Sequence, residues 1–115
     1  MKLLLVCLAG GLGSGARYLI APLGNTATTS GFPYGTLLVN VVGCALIGLI
    51  MQMADLSAET RLVLTTGFLG GFTTYSAFCY EASSLLKTNP MAGVAYVLIT
   101  TCACIAVCSL AMWKR

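Results

Sequence analysis

Apolar residues in this chain gather into four long stretches separated by short polar segments. Residues 31–54, 62–80 and 88–113 contain no Asp, Glu, Lys or Arg, and each reaches or approaches the roughly 20 residues that a bilayer-spanning helix needs. A fourth stretch, 3–16, is apolar and glycine-rich, and Arg17 separates it from Tyr18-Leu-Ile-Ala. The pattern predicts an all-α membrane protein of four transmembrane helices in a single domain covering 1–115, with spans at about 3–22, 33–54, 62–84 and 91–113. Residues 23–32, rich in Gly, Ser, Thr and Asn, read as a surface loop before Pro33 restarts a helix.

The third span carries an interruption. Gly71 is the midpoint of the charge-free run 62–80, so Gly70-Gly-Phe-Thr-Thr74 would lie near the centre of a bilayer. Adjacent glycines weaken a helix by roughly 1 kcal/mol each, and backbone groups freed in hydrocarbon cost several more unless something satisfies them. A break there predicts a site, because unwound carbonyls coordinate cations and half-helix ends present opposite partial charges. Tyr75, Phe78 and Glu81 follow at i, i+3 steps, setting two rings and a carboxylate along one face.

Composition narrows the function classes. Hydrophobic residues make up 58% of the 115-residue chain and charged residues 8%, against roughly 25% charged in an ordinary soluble domain. The formal charge of +3 is scattered, which gives nucleic-acid binding no support. Catalysis lacks material as well: there is no histidine, and Asp55, Glu59 and Glu81 are the only acids. With the N-terminus cytoplasmic, Lys2, Arg61, Lys114 and Arg115 share one side and Arg17 and Lys87 the other, a weak positive-inside bias that would let the chain insert either way up. Lys2 followed by a short apolar run also fits a signal peptide. Cleavage would remove the glycine motif of the first span, so the segment is expected to be retained. The six cysteines lie inside apolar runs and read as small buried hydrophobes rather than metal ligands.

Gly10, Gly11, Gly13 and Gly15 are out of register for a dinucleotide fingerprint and instead suit close helix packing. Arg17 either reaches the headgroups or lines an aqueous vestibule that draws anions. Thr36 and Asn40, four apart, share a face of the second span; the Asn40 amide serves either an interhelical hydrogen bond or a passing anion. Ser57 and Thr60 give a weak helix-start signal, and Asn89-Pro90 closes the next turn. Trp113 reads as an interfacial anchor, and hydroxyls of the fourth span are candidates for a polar path. Four helices fill their own core with side chains, so a permeation path is expected between subunits, most simply in a symmetric dimer. Amide and hydroxyl donors with aromatic edges, and no buried ring of carboxylates, favour an anion.

The segments Gly10-Gly-Leu-Gly-Ser-Gly-Ala-Arg-Tyr18, Gly35-Thr-Leu-Leu-Val-Asn40 and Gly67-Phe-Leu-Gly-Gly-Phe-Thr-Thr-Tyr-Ser-Ala-Phe78, with Glu81, resemble the CrcB/Fluc fluoride channel family over nearly the whole chain. The resemblance implies an antiparallel dual-topology homodimer in the cell membrane, a bacterial inner membrane, with two interfacial pores that passively export fluoride. It implies a structural sodium ion held by backbone carbonyls of Gly70 and Thr73 from both subunits. Asn40 would be the pore amide, Tyr75 and Phe78 the paired aromatics, Ser76 part of the polar track with Thr36, Arg17 the vestibule cation, and Glu81 near the pathway's end. The chain departs from the family pattern at Tyr75, where Phe is usual, and at Ala77 and Cys79, where hydroxyls are usual. Half of a heterodimeric channel is therefore an alternative. Small multidrug transporters share the length and helix count, but their first-span glutamate is missing here; a non-conducting membrane assembly subunit is the rival from another class.

Overall fold

The computed structural model describes residues 1–26 and 31–113, so the expected loop is seen in part and Lys114 and Arg115 lie outside the described residues. Helix α1 runs Lys2–Thr26 and α2 Tyr34–Gln52. The third span is composite. It comprises α3 (Ala58–Leu62), a π-helical stretch (Val63–Leu69), α4 (Gly70–Phe72) and, after a break, α5 (Tyr75–Thr88). Helix α6 runs Pro90–Trp113. Four helical segments are thus long and apolar enough to cross a membrane, with 58–88 counted as one. The longest dimension, 46 Å, matches a bilayer with its headgroup regions, about 40–45 Å. Apolar residues such as Leu8, Leu12, Leu98, Ile105 and Leu110 face outward, as they do where lipid is the solvent.

Local chemistry sets the helix ends. Ser57 Oγ accepts the Thr60 N–H at 3.1 Å and so starts α3, making good the weak signal in the sequence. Asn89 Oδ1 accepts the Ala92 N–H at 3.3 Å while Pro90 takes the first position of α6, where its missing N–H costs nothing. The break itself falls at Thr73 and Thr74, whose backbones are extended (φ −87°, ψ 159° and φ −149°, ψ 120°). Gly70 and Gly71 remain helical. Gly71 thus serves packing rather than unwinding: a Cβ on it would strike the Gly10 carbonyl of α1, as one on Gly13 would strike the Phe68 carbonyl. Small residues on both surfaces let the two backbones meet.

Two small cores flank the break. Val39, Leu69 and Phe72 are buried on one side, and Phe78, Ala82, Leu85 and Tyr96 on the other. Helices α2 and α6 run parallel in a constant register. Gln52 donates to the Met112 carbonyl sixty residues on, Gly48 abuts the Cys108 carbonyl, and Thr36 and Tyr96 meet on one carboxylate. Every fourth residue of α2 therefore faces its counterpart on α6.

Candidate functional site

The break exposes backbone polarity at the depth where no water is expected, and Asn40 answers it. Its Oδ1 accepts the Thr74 N–H at 2.9 Å, and its Nδ2 donates to the Thr74 carbonyl at 3.1 Å. One buried side-chain amide thus replaces the helical partners of both backbone groups of one residue. Thr74 completes the repair through its own hydroxyl, which accepts the Ala77 N–H at 3.1 Å and caps α5. Thr73 turns its hydroxyl back to the Leu69 carbonyl at 2.8 Å. The N–H that would close a helical turn on Gly70 is that of Thr74, which is donated to Asn40 instead.

Arg17 is also engaged at the break. Its Nε donates to the Gly71 carbonyl at 3.1 Å, with Ser14 Oγ at 3.4 Å from the same oxygen. A cation at the C-terminal end of α4 is favoured by the helix dipole, so the guanidinium ties α1 to the interrupted span. Glu81 is half-buried. Oε2 accepts from Thr36 at 3.0 Å, and Oε1 from Tyr96 at 3.1 Å. Hydrogen bonds to a carboxylate are among the stronger ones, and Tyr96, with no exposed surface, is the member that reading of the sequence missed.

The side chains around the break open onto one groove of about 420 Å³ between α2, the third span and α6. Asn40, Gly70, Thr73, Thr74, Tyr75, Phe78 and Thr100 all line it, and none of its lining residues is charged. Phe78 is buried, whereas Tyr75 is 78% exposed, with ring centroids 5.8 Å apart; Phe78 in turn packs on Tyr96 at 5.2 Å. The Thr100 hydroxyl is buried and has no hydrogen-bond partner among the described residues. Ser76 is exposed in the first turn of α5, its Oγ 3.4 Å from that of Thr74. Thr36, Glu81, Ser76 and Arg17 are not among the groove's lining residues. The structure therefore brings Asn40, Tyr75, Phe78, Gly70 and Thr73 to one groove, and sets Thr36 and Glu81 in an adjoining polar cluster with Tyr96.

A four-span membrane chain with an uncharged groove at a broken helix has the build of multi-pass membrane transport proteins, in which intramembrane breaks mark ion sites. The sequence profile described as CrcB-like protein, Camphor Resistance (CrcB), matches residues 4–112. Curated relatives named "Fluoride-specific ion channel FluC" include those of Anaeromyxobacter dehalogenans, 47% identical over 91% of this chain and 87% of the relative, and Geobacter sulfurreducens, 45% identical over 86% and 90%. The relative from Prosthecochloris aestuarii, with the same name, is 49% identical over 76% of this chain and 71% of its own length. The chain belongs to the CrcB/FluC family, a family of channels rather than enzymes.

Proposed function

We propose that the chain is a fluoride-selective channel that passively exports fluoride across a bacterial inner membrane, two copies forming an antiparallel dual-topology homodimer. The observation that carries this reading is the uncharged groove in which Asn40, the Tyr75–Phe78 pair and the unpartnered Thr100 hydroxyl converge at the break. Amide and hydroxyl hydrogens and aromatic edges all present positive partial charge, and a small anion shedding its water needs such donors close together. Asn40 spends one amide hydrogen on the Thr74 carbonyl and has a second to offer. Tyr75, largely exposed on a single chain, would be covered by the second copy, which closes the groove into a pore. A membrane potential negative inside drives fluoride outward by about 2.3 kcal/mol per 100 mV.

Sodium fits the same break. The diverted Thr74 N–H leaves the Gly70 carbonyl without that helical donor, and Gly70 and Thr73 both line the groove. Their carbonyls, two from each copy, would hold the ion, a hard cation suited to oxygen ligands, and it would pin the two breaks together. In this reading Thr36 and Ser76 extend the polar track, Arg17 holds α4 as well as contributing positive potential at the vestibule, and Glu81 stands near the pathway's end. Fluoride efflux from liposomes containing the purified protein, read with a fluoride electrode beside a chloride control, tests the proposal. Rapid fluoride release without chloride release is expected. Absence of flux from a folded dimer at any sodium concentration would favour the assembly-subunit reading; recovery with a second co-expressed subunit would favour a heterodimer.

A further inference from the structure

The register between α2 and α6 stacks one rung per helical turn, and the rung beyond Asn40 and Thr100 consists of two thiols. Cys44 and Cys104 both line the groove, and they keep the sixty-residue offset seen at Gln52 and Met112. Gly48 against the Cys108 carbonyl, one turn along, holds the two backbones close at this height. Neither cysteine is in a disulfide. Among the described residues no group of three or more Cys, Asp or Glu side chains gathers tightly enough to hold a metal, so tetrahedral zinc coordination finds no ligand set. Two cysteines at one level of the groove without a third ligand instead suit the linear coordination of soft d¹⁰ ions, which thiolates select.

We propose that Cys44 and Cys104 form a two-coordinate soft-metal site in the wall of the groove. Mercury(II) chloride is the natural probe, since it is linear and uncharged and enters an apolar groove without the desolvation cost of an ion. Both thiols lose their protons as two Hg–S bonds replace two Hg–Cl bonds, releasing two protons and two chlorides with no change of oxidation state. Once one sulfur has captured the metal, the second binds it intramolecularly.

The test uses the full chain with Cys7, Cys79, Cys102 and Cys108 replaced by serine, titrated with mercuric chloride while free thiols are counted. One mercury should remove two thiols. Cys44→Ser and Cys104→Ser in that background should each bind mercury at least ~100-fold more weakly against a competing monothiol. Loss of one thiol per mercury, or single variants that bind as tightly as the pair, would overturn the site. In the unsubstituted chain, sub-stoichiometric mercury equilibrated with the same monothiol should protect Cys44 and Cys104 together from maleimide labelling mapped by mass spectrometry; protection of other cysteines first would also overturn it. Bound mercury should in addition slow fluoride efflux at least tenfold, and this arm alone rests on the channel reading. Paired thiol loss without a block would uphold the metal site and remove the groove from the ion path.

Discussion

Asn40 holds the break together and, in the proposed channel, would also offer a donor to an anion, and substitution separates the two tasks. Asn40→Leu removes both hydrogen bonds to Thr74, at 2.9 and 3.1 Å, while keeping similar volume. A buried polar group stripped of its partner costs about 1–3 kcal/mol, so the Thr74 amide should lose between about fivefold and about 150-fold of its hydrogen-exchange protection, at 1.4 kcal/mol per decade. Asn40→Asp retains an acceptor for the Thr74 N–H but loses the donor and adds a negative charge. Its Thr74 amide should stay protected while fluoride efflux collapses, because an anion now meets a carboxylate in a groove that holds no other charge. The assays are amide exchange by mass spectrometry in detergent and fluoride efflux from liposomes. Wild-type protection in Asn40→Leu would refute the capping geometry, and wild-type flux in Asn40→Asp would refute the pore assignment.

Further outcomes follow from neighbouring contacts. Thr74→Val keeps the β-branched shape but deletes the cap on the Ala77 N–H, and unfolding in detergent should show a loss of about 0.5–2 kcal/mol. Tyr96→Phe deletes a bond to the Glu81 carboxylate and should destabilise by about 1.5–3 kcal/mol in the same measurement, whereas Glu81→Gln keeps an acceptor and should cost less. Gly71→Ala drives a methyl into the Gly10 carbonyl; α1 can no longer dock, and the yield of folded protein by size-exclusion chromatography should fall sharply. Replacing sodium throughout purification by N-methylglucamine, too bulky for a carbonyl cage, should lower both dimer stability and fluoride flux, and indifference of both would remove the sodium site.

Spans, polar candidates and the interruption were readable from the chain because each depends on local pattern: charge-free length, i+3 and i+4 spacing, and residues that weaken helices. The position of the break within its segment was not. Glycine propensity points at Gly70 and Gly71, yet helix interiors tolerate glycine when another helix packs on it, and α1 does so at Gly71. The chain opens two residues later, where Thr74 supplies a cap and Asn40 a peptide mimic. Long-range pairings were hidden for a related reason. Arg17 meets Gly71 across 54 residues and Tyr96 meets Glu81 from another helix, and only the arrangement of the helices decides that. The signal for Tyr96 was simply a phenol in a charge-free run, which needs a polar partner somewhere.

The residues that repair the break are also those to which the proposed channel assigns its selectivity. An unwound peptide in hydrocarbon requires donors and acceptors from its neighbours, so Asn40, Thr73 and Thr74 are drawn to this depth by the backbone alone. Once there, they line a groove that also takes in Thr100, whose hydroxyl has no hydrogen-bond partner among the described residues. A cation gains little from such a surface except at the backbone of the exposed Gly70, whose carbonyl lacks the Thr74 donor. In the proposed channel, backbone repair would therefore sort the polarity of the site, carbonyl oxygens toward a sodium ion and hydrogens toward a moving anion. A substitution that restores a continuous helix through Thr73 and Thr74 should abolish both at once, and a variant that lost sodium dependence while keeping fluoride selectivity would contradict that coupling.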